Sequence, residues 1–200
     1  MSEIQHSHGD AQNASGTEPA YRLRKTVVMV GMMGAGKTAI GRALAARLAV
    51  PFLDSDAEIE AASNMNVQEI FARDGEAFFR EKEAQVIARL LQSEPCVLST
   101  GGGAFLAERN REAISEHGVS LLLNADLELL WTRVRHKTTR PLLHTDDPRR
   151  TLGEIFEARM PIYALAELSV DAHPDYSIDD MVDQVIACLL RRPDVLEPAS

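Results

Sequence analysis

Gly31-Met32-Met33-Gly34-Ala35-Gly36-Lys37-Thr38 is the stretch on which the fold turns. It satisfies G-x-x-x-x-G-K-[ST], and both of its flanks suit that reading. Before it, Thr26-Val27-Val28-Met29-Val30 is a short β-branched apolar run, as in a strand buried on both faces; after it, residues 37–49 carry a helix-compatible pattern. Glycines in such a loop let the backbone wrap around phosphate with its N–H groups inward, and the following helix N-terminus adds partial positive charge. Gly34, Ala35, Gly36, Lys37, Thr38 and Ala39 are therefore candidate nucleotide-binding residues. Lys37 is expected to reach the β- and γ-phosphates and act in catalysis, and the Thr38 hydroxyl to sit on Mg²⁺, which prefers oxygen ligands. The same grip serves kinases, GTPases, motors and nucleotide sensors, so the acceptor has to be read elsewhere.

Outward from this loop the chain alternates. Residues 51–54, 96–99, 119–123 and 168–170 read as four further strands. Between and after them, helical patterns run over residues 57–93, with breaks near Asn64 and Gly75, and over 127–135, 151–166 (despite Pro161) and 178–190. Alternation of this kind predicts an α/β domain with a five-stranded parallel sheet flanked by helices. No internal repeat or second domain is visible. Residues 1–24 are polar, include His6 and His8, and are expected to form a disordered extension; residues 25–191 form the domain, and residues 192–200 a flexible tail.

A formal charge of -9 disfavours a general nucleic-acid binder, because binding to phosphate irrespective of sequence needs an excess of Lys and Arg. Cys96 and Cys188 are the only cysteines, which suggests neither a disulfide scaffold nor a zinc site, and both are expected to be small buried residues. No run of signal-peptide character and no stretch of roughly 20 apolar residues is present, so a cytoplasmic protein without membrane contact is expected. A monomer is the default.

Four groups of residues then offer acceptor chemistry. Asp54 and Asp56 bracket Ser55 at the expected end of the second strand, where period-2 geometry sends both carboxylates to one side. One of them can support Mg²⁺ while the other takes the proton of an attacking hydroxyl; the plainer alternative makes Asp56 a helix N-cap. Gly101-Gly102-Gly103 lets backbone approach a ligand, and no aspartate ends the strand before it, which moves the metal-linked role toward Asp54. Arg133, Arg135, Lys137, Arg140, Arg149 and Arg150 place six of the 21 Lys and Arg within 18 residues, either as a mobile lid over phosphate or as a solvated charge run. Arg80 and Arg159 either grip a carboxylate or pair with a nearby Glu such as Glu83 or Glu157.

Taken in order, these segments resemble the shikimate kinase family from about residue 25 to about residue 190. The most specific parts are Gly31 to Thr38, the Asp54-x-Asp56 pair, Ile70-Phe71 through Gly75-Glu76 to Phe79-Arg80 and Glu83, Gly101 to Gly103, Arg140-Pro141-Leu142-Leu143, and Arg159 before Pro161-Ile162-Tyr163. The resemblance implies a P-loop NTPase fold of the nucleoside-monophosphate-kinase type, with MgATP as donor and the 3-hydroxyl of shikimate as acceptor, on the route to chorismate and aromatic amino acids. It also implies roles. Asp56 binds the substrate hydroxyls and acts as base, Arg80 and Arg159 bind the carboxylate, and Gly102, between Gly101 and Gly103, binds substrate through its backbone. Arg140 is then the catalytic lid arginine on the phosphates, Arg133 lies near adenine, and Asp54 supports Mg²⁺.

The segment Asp171-Ala172-His173-Pro174-Asp175 departs from the arginine-rich adenine loop of some members, so His173 and Pro174 are not assigned to the site. Two other readings remain at this point: a related small-molecule kinase, for example one acting on gluconate, and a catalytically silent nucleotide-binding protein.

Overall fold

The computed structural model describes residues 20–137 and 141–199. Its main sheet has five parallel strands in the order β3-β4-β2-β5-β6, formed by β2 (Thr26–Val30), β3 (Phe52–Asp54), β4 (Val97–Ser99), β5 (Gly118–Asn124) and β6 (Leu168–Asp171). Central β2 is buried along its whole length, as its unbroken apolar run predicts for a strand covered on both faces. Helices α1 (Lys37–Leu48), α2 (Ser55–Ser63), α3 (Val67–Leu91), α4 (Glu108–His117), α5 (Leu127–Val134), α6 (Pro148–Tyr163) and α7 (Ile178–Leu189) complete the fold.

Registration explains where the site lies. Asp54 of β3 and Met29 of β2 are both level with Ser99 of β4, so three adjacent strands end together. The loops leaving them are the phosphate loop, the Asp54–Asp56 corner and the glycine run, all at the carboxyl edge where open α/β sheets bind ligands. The expected breaks are also found. Asn64 ends α2 with φ 51°, and Gly75 interrupts α3 with φ 83° and ψ 171°, a backbone that side-chain-bearing residues rarely adopt.

Four expectations need correction. The expected tails contain a strand each: β1 (Tyr21–Leu23) pairs antiparallel with β7 (Leu196–Pro198), because Leu23, Val195 and Leu196 have a core to enter. Helix α4 was not foreseen, since Glu108–His117 is mostly polar and buries little besides Asn110 and Ile114. Helix α6 begins at Pro148 rather than 151, with Asp147 capping Arg150 N–H, so Arg149 and Arg150 are helical. Finally, Cys96 is buried as expected but Cys188 is only half-buried. Among the described residues no helix is long and apolar enough to cross a membrane.

Candidate active site

One cavity of about 630 Å³ collects most of the candidate residues. Gly34, Gly36, Lys37, Thr38, Ala39 and Arg133 line its phosphate-loop side; Asp54, Asp56, Arg80, Gly101, Gly102, Gly103 and Arg159 line the other. Ala35 is fully buried within the loop, and Arg140 lies outside the described residues.

On the donor side, Gly36 caps α1 with φ 100° and contributes no side-chain bond to its N–H groups. The first-turn amides therefore face a ligand without competition, which is the arrangement that favours bound phosphate. Lys37 Nζ donates to the carbonyls of Gly31 (2.8 Å) and Met32 (3.2 Å), which keeps its charge over the loop. Arg133 reaches from α5 to donate to the carbonyls of Gly34 and Ala35, each at 3.3 Å. Beyond it the cavity is walled by Tyr176, Ser177, Ile178 and Met181, a mixed apolar end suited to a flat heterocycle. These residues were not foreseen, because exposed Tyr176 and Ile178 read in sequence only as the approach to a helix.

The two aspartates do not share a strand face. Asp54 ends β3 and caps α2, its Oδ1 accepting from Asp56 N–H (3.1 Å) and Ala57 N–H (3.3 Å). The cap is thus Asp54 rather than Asp56, and Asp56 enters the cavity from the first helical turn. Burial, reinforced by the negative charge of Asp54, pushes the Asp56 carboxyl up to about 6, against the opposing pull of Arg80 and Lys37. Its Oδ1 is buried without a hydrogen-bond partner among the described residues. A carboxylate poised near neutrality with an unfilled acceptor is suited to receive a proton from a hydroxyl.

The glycine run makes room for the other groups. A Cβ on Gly101 would stand 2.8 Å from Asp56 Oδ1, one on Gly102 would stand 3.5 Å from Arg159 Nη1, and one on Gly103 would overlap the Arg80 guanidinium. The three glycines thus open in turn on the proposed base and on the two arginines. Tyr163 at the end of α6 donates to the Gly102 carbonyl, Asn110 Nδ2 donates to the Ala104 carbonyl (2.8 Å), and Arg111 Nη1 to those of Phe105 (3.0 Å) and Leu106 (2.8 Å). None of these three supports was foreseen. The sequence signal available was topological: β4 and β5 are parallel, so the chain between them needs a crossover, usually helical.

The arginines differ. Arg80 pairs with Glu83 at 2.8 Å and Glu76 at 3.3 Å, and the Glu83 side chain is 1% exposed. Burial pushes the Glu83 carboxyl up, with Arg80 opposing. Arg159 pairs with no carboxylate among the described residues, Glu157 included, which leaves its charge for an anion. The basic cluster also divides. Arg133 and Lys137 line the cavity, whereas Arg149 pairs with Glu128 and Arg150 with Glu154 on the exposed face, so the solvated reading holds for those two.

A magnesium ion fits this donor set. Thr38 offers a hydroxyl, and Asp54 keeps Oδ2 beyond its two amide bonds, a sparse oxygen set that suits a cation retaining water and taking phosphate oxygens. The described residues hold no group of three or more His, Cys, Asp or Glu placed to ligate a metal by themselves.

The family model for shikimate kinase matches residues 33–190. The chain belongs to the shikimate kinase family. A shikimate kinase of Ruegeria pomeroyi is 66% identical over 197 residues, 98% of this chain and 99% of that one. The shikimate kinase of Cereibacter sphaeroides is 63% identical over 182 residues, 91% of each chain. Among solved structures, shikimate kinase from Acinetobacter baumannii in complex with shikimate gives a TM-score of 0.78 at 34% identity, covering 84% of this chain and 93% of that chain. A shikimate kinase fold thus brings the phosphate loop and the Asp56, Arg80 and Arg159 cluster to the lining of one cavity, the proximity that a direct phosphoryl transfer requires.

Proposed function

We propose that the protein transfers the γ-phosphate of ATP to the 3-hydroxyl of shikimate, giving shikimate 3-phosphate and ADP for aromatic amino-acid synthesis. The observation that carries this reading is the shared cavity: the Lys37 and Thr38 end is complementary to nucleotide phosphate, and the end with Asp56, Arg80 and Arg159 to a hydroxylated carboxylate. Arg159 and Arg80 orient the acceptor by its carboxylate, and Gly102 lies against it. Asp56 then accepts the hydroxyl proton as the oxygen attacks the γ-phosphorus and the bond to the β-phosphate oxygen breaks. Lys37 and the α1 amides hold the developing charge, and Arg133 and Arg140 are assigned to the nucleotide. Thr38 and Asp54 would hold Mg²⁺, which when bound offsets charge on the phosphate oxygens.

The deciding experiment measures ADP release by purified protein with MgATP and a panel of shikimate, gluconate and quinate. Release dependent on shikimate supports the assignment. Release with gluconate alone moves it to the related small-molecule kinase, and no acceptor-dependent release returns it to a silent nucleotide binder.

A further inference from the structure

Tyr163 lies against the glycine run that lines this cavity. Its side chain is fully buried at the end of α6, one helical turn beyond Arg159 on the same face. A phenol has one proton to donate and lone pairs to accept. The proton goes to the Gly102 carbonyl, and the Arg159 guanidinium donates to the phenol oxygen, where its charge and hydrogen bond oppose the upward push of burial on the phenol. A Cβ on Gly102 would stand 3.5 Å from Arg159 Nη1 and 3.6 Å from Tyr163 Oη, so the three groups meet at one point.

The glycine loop is tied at its two ends by other elements. Thr100 Oγ1 donates to the Met29 carbonyl at 3.2 Å and Asn110 Nδ2 to the Ala104 carbonyl at 2.8 Å. Between those ties, the hydrogen bond from Tyr163 is the link to the helix that carries Arg159. Peptide planarity means that fixing the Gly102 carbonyl also fixes the Gly103 N–H. We propose that Tyr163 is a positioning residue for the acceptor: its hydroxyl locks the Gly102–Gly103 peptide to the turn of α6 bearing Arg159, so that the backbone and guanidinium contacts to the substrate carboxylate are set together. This inference rests on the shikimate kinase reading for its substrate, though not for the tie itself.

Tyr163→Phe in the full chain keeps the ring and removes the hydroxyl. The expected result is a KM for shikimate raised about tenfold, a KM for ATP within about twofold of wild type, and a melting temperature within a few degrees. Amide hydrogen exchange over residues 100–106 of the unliganded protein is expected to rise about tenfold, with the phosphate loop unchanged. An unaltered shikimate KM, or an equal rise in both KM values, overturns the proposal. Wild-type protein without shikimate-dependent ADP release sinks the substrate reading instead. In that case exchange decides: a rise confined to residues 100–106 supports the tie, and unchanged exchange overturns it.

Discussion

Gly103 lies directly against the guanidinium of Arg80, so closely that a Cβ there would overlap its terminal nitrogens. Two residues away, Gly101 stands in the same relation to the Asp56 carboxylate, with 2.8 Å between the built Cβ and Oδ1. One loop therefore sets the space for both the arginine assigned to the acceptor and the carboxylate proposed as its base.

Alanine at these two positions should separate binding from chemistry. Gly103 has an ordinary backbone (φ -91°), and what its Cβ would displace is the far end of a flexible side chain, so Gly103→Ala should fold normally. Its shikimate KM is expected to rise about tenfold or more with kcat little changed, whereas Gly101→Ala lowers kcat. Steady-state kinetics on both variants checks this; identical profiles would show that the loop does not divide the two tasks.

As the proposed base, Asp56 should set the acid limb of the rate. With its carboxyl raised to about 6, kcat/KM for shikimate should fall about tenfold per pH unit below that value and flatten above it. A flat profile from pH 5 to 8 would remove Asp56 from the base role.

Asp56→Asn should lower kcat by about 10²- to 10⁴-fold while ATP binding is kept. Its effect on stability has the opposite sign. The folded carboxyl is raised from 3.8 to about 6, so its contribution to folding is present in full below pH 3.8 and is lost as pH rises through 6. At pH 8 the ionised, buried group costs the fold up to about 3 kcal/mol. Urea unfolding should find the variant more stable than wild type by about 1 to 2 kcal/mol at pH 8 and by much less at pH 5. An equal difference at both pH values would contradict the burial argument.

The two arginines should respond differently to truncation. Removing Arg80 leaves the buried Glu83 carboxylate without its partner, so Arg80→Ala is expected to cost about 2 to 3 kcal/mol of stability as well as raising shikimate KM. Arg159 pairs with no carboxylate among the described residues, and Arg159→Ala should raise KM at under about 1 kcal/mol of stability. Denaturant unfolding beside kinetics distinguishes them.

Deleting residues 192–200 removes β7 and with it the buried Val195 and Leu196. Burial of two such side chains is worth about 3 to 5 kcal/mol, so the truncated protein should melt well below wild type. An unchanged melting temperature would restore the expectation of a tail without structure.

Much of this molecule is legible in its sequence for a definite reason. The phosphate loop, the five parallel strands and the breaks at Asn64 and Gly75 are encoded by neighbours in the chain: a β-branched run, glycines at left-handed positions, a helix start. The misreadings arose where local pattern competes with packing. Asp54 rather than Asp56 became the cap because the strand ends at Asp54 and the helix begins at Ser55, so the two-residue period never reaches Asp56. Polar α4 gave no apolar stripe to find, and the terminal strands β1 and β7 are too short to read until each is paired with the other.

What the sequence determined by itself is the phosphate-binding loop, since its backbone geometry lies within eight consecutive residues whose conformation follows from their own glycines. The acceptor end was decided only in three dimensions. Asp56, Arg80, the glycine run and Arg159 come from four separate segments, and whether an arginine there is neutralised, as Arg80 is by Glu83, or left without a carboxylate partner among the described residues, as Arg159 is, depends on which helices pack side by side. Burial, the main cause of the raised Asp56 carboxyl, likewise exists only once the chain has folded around it.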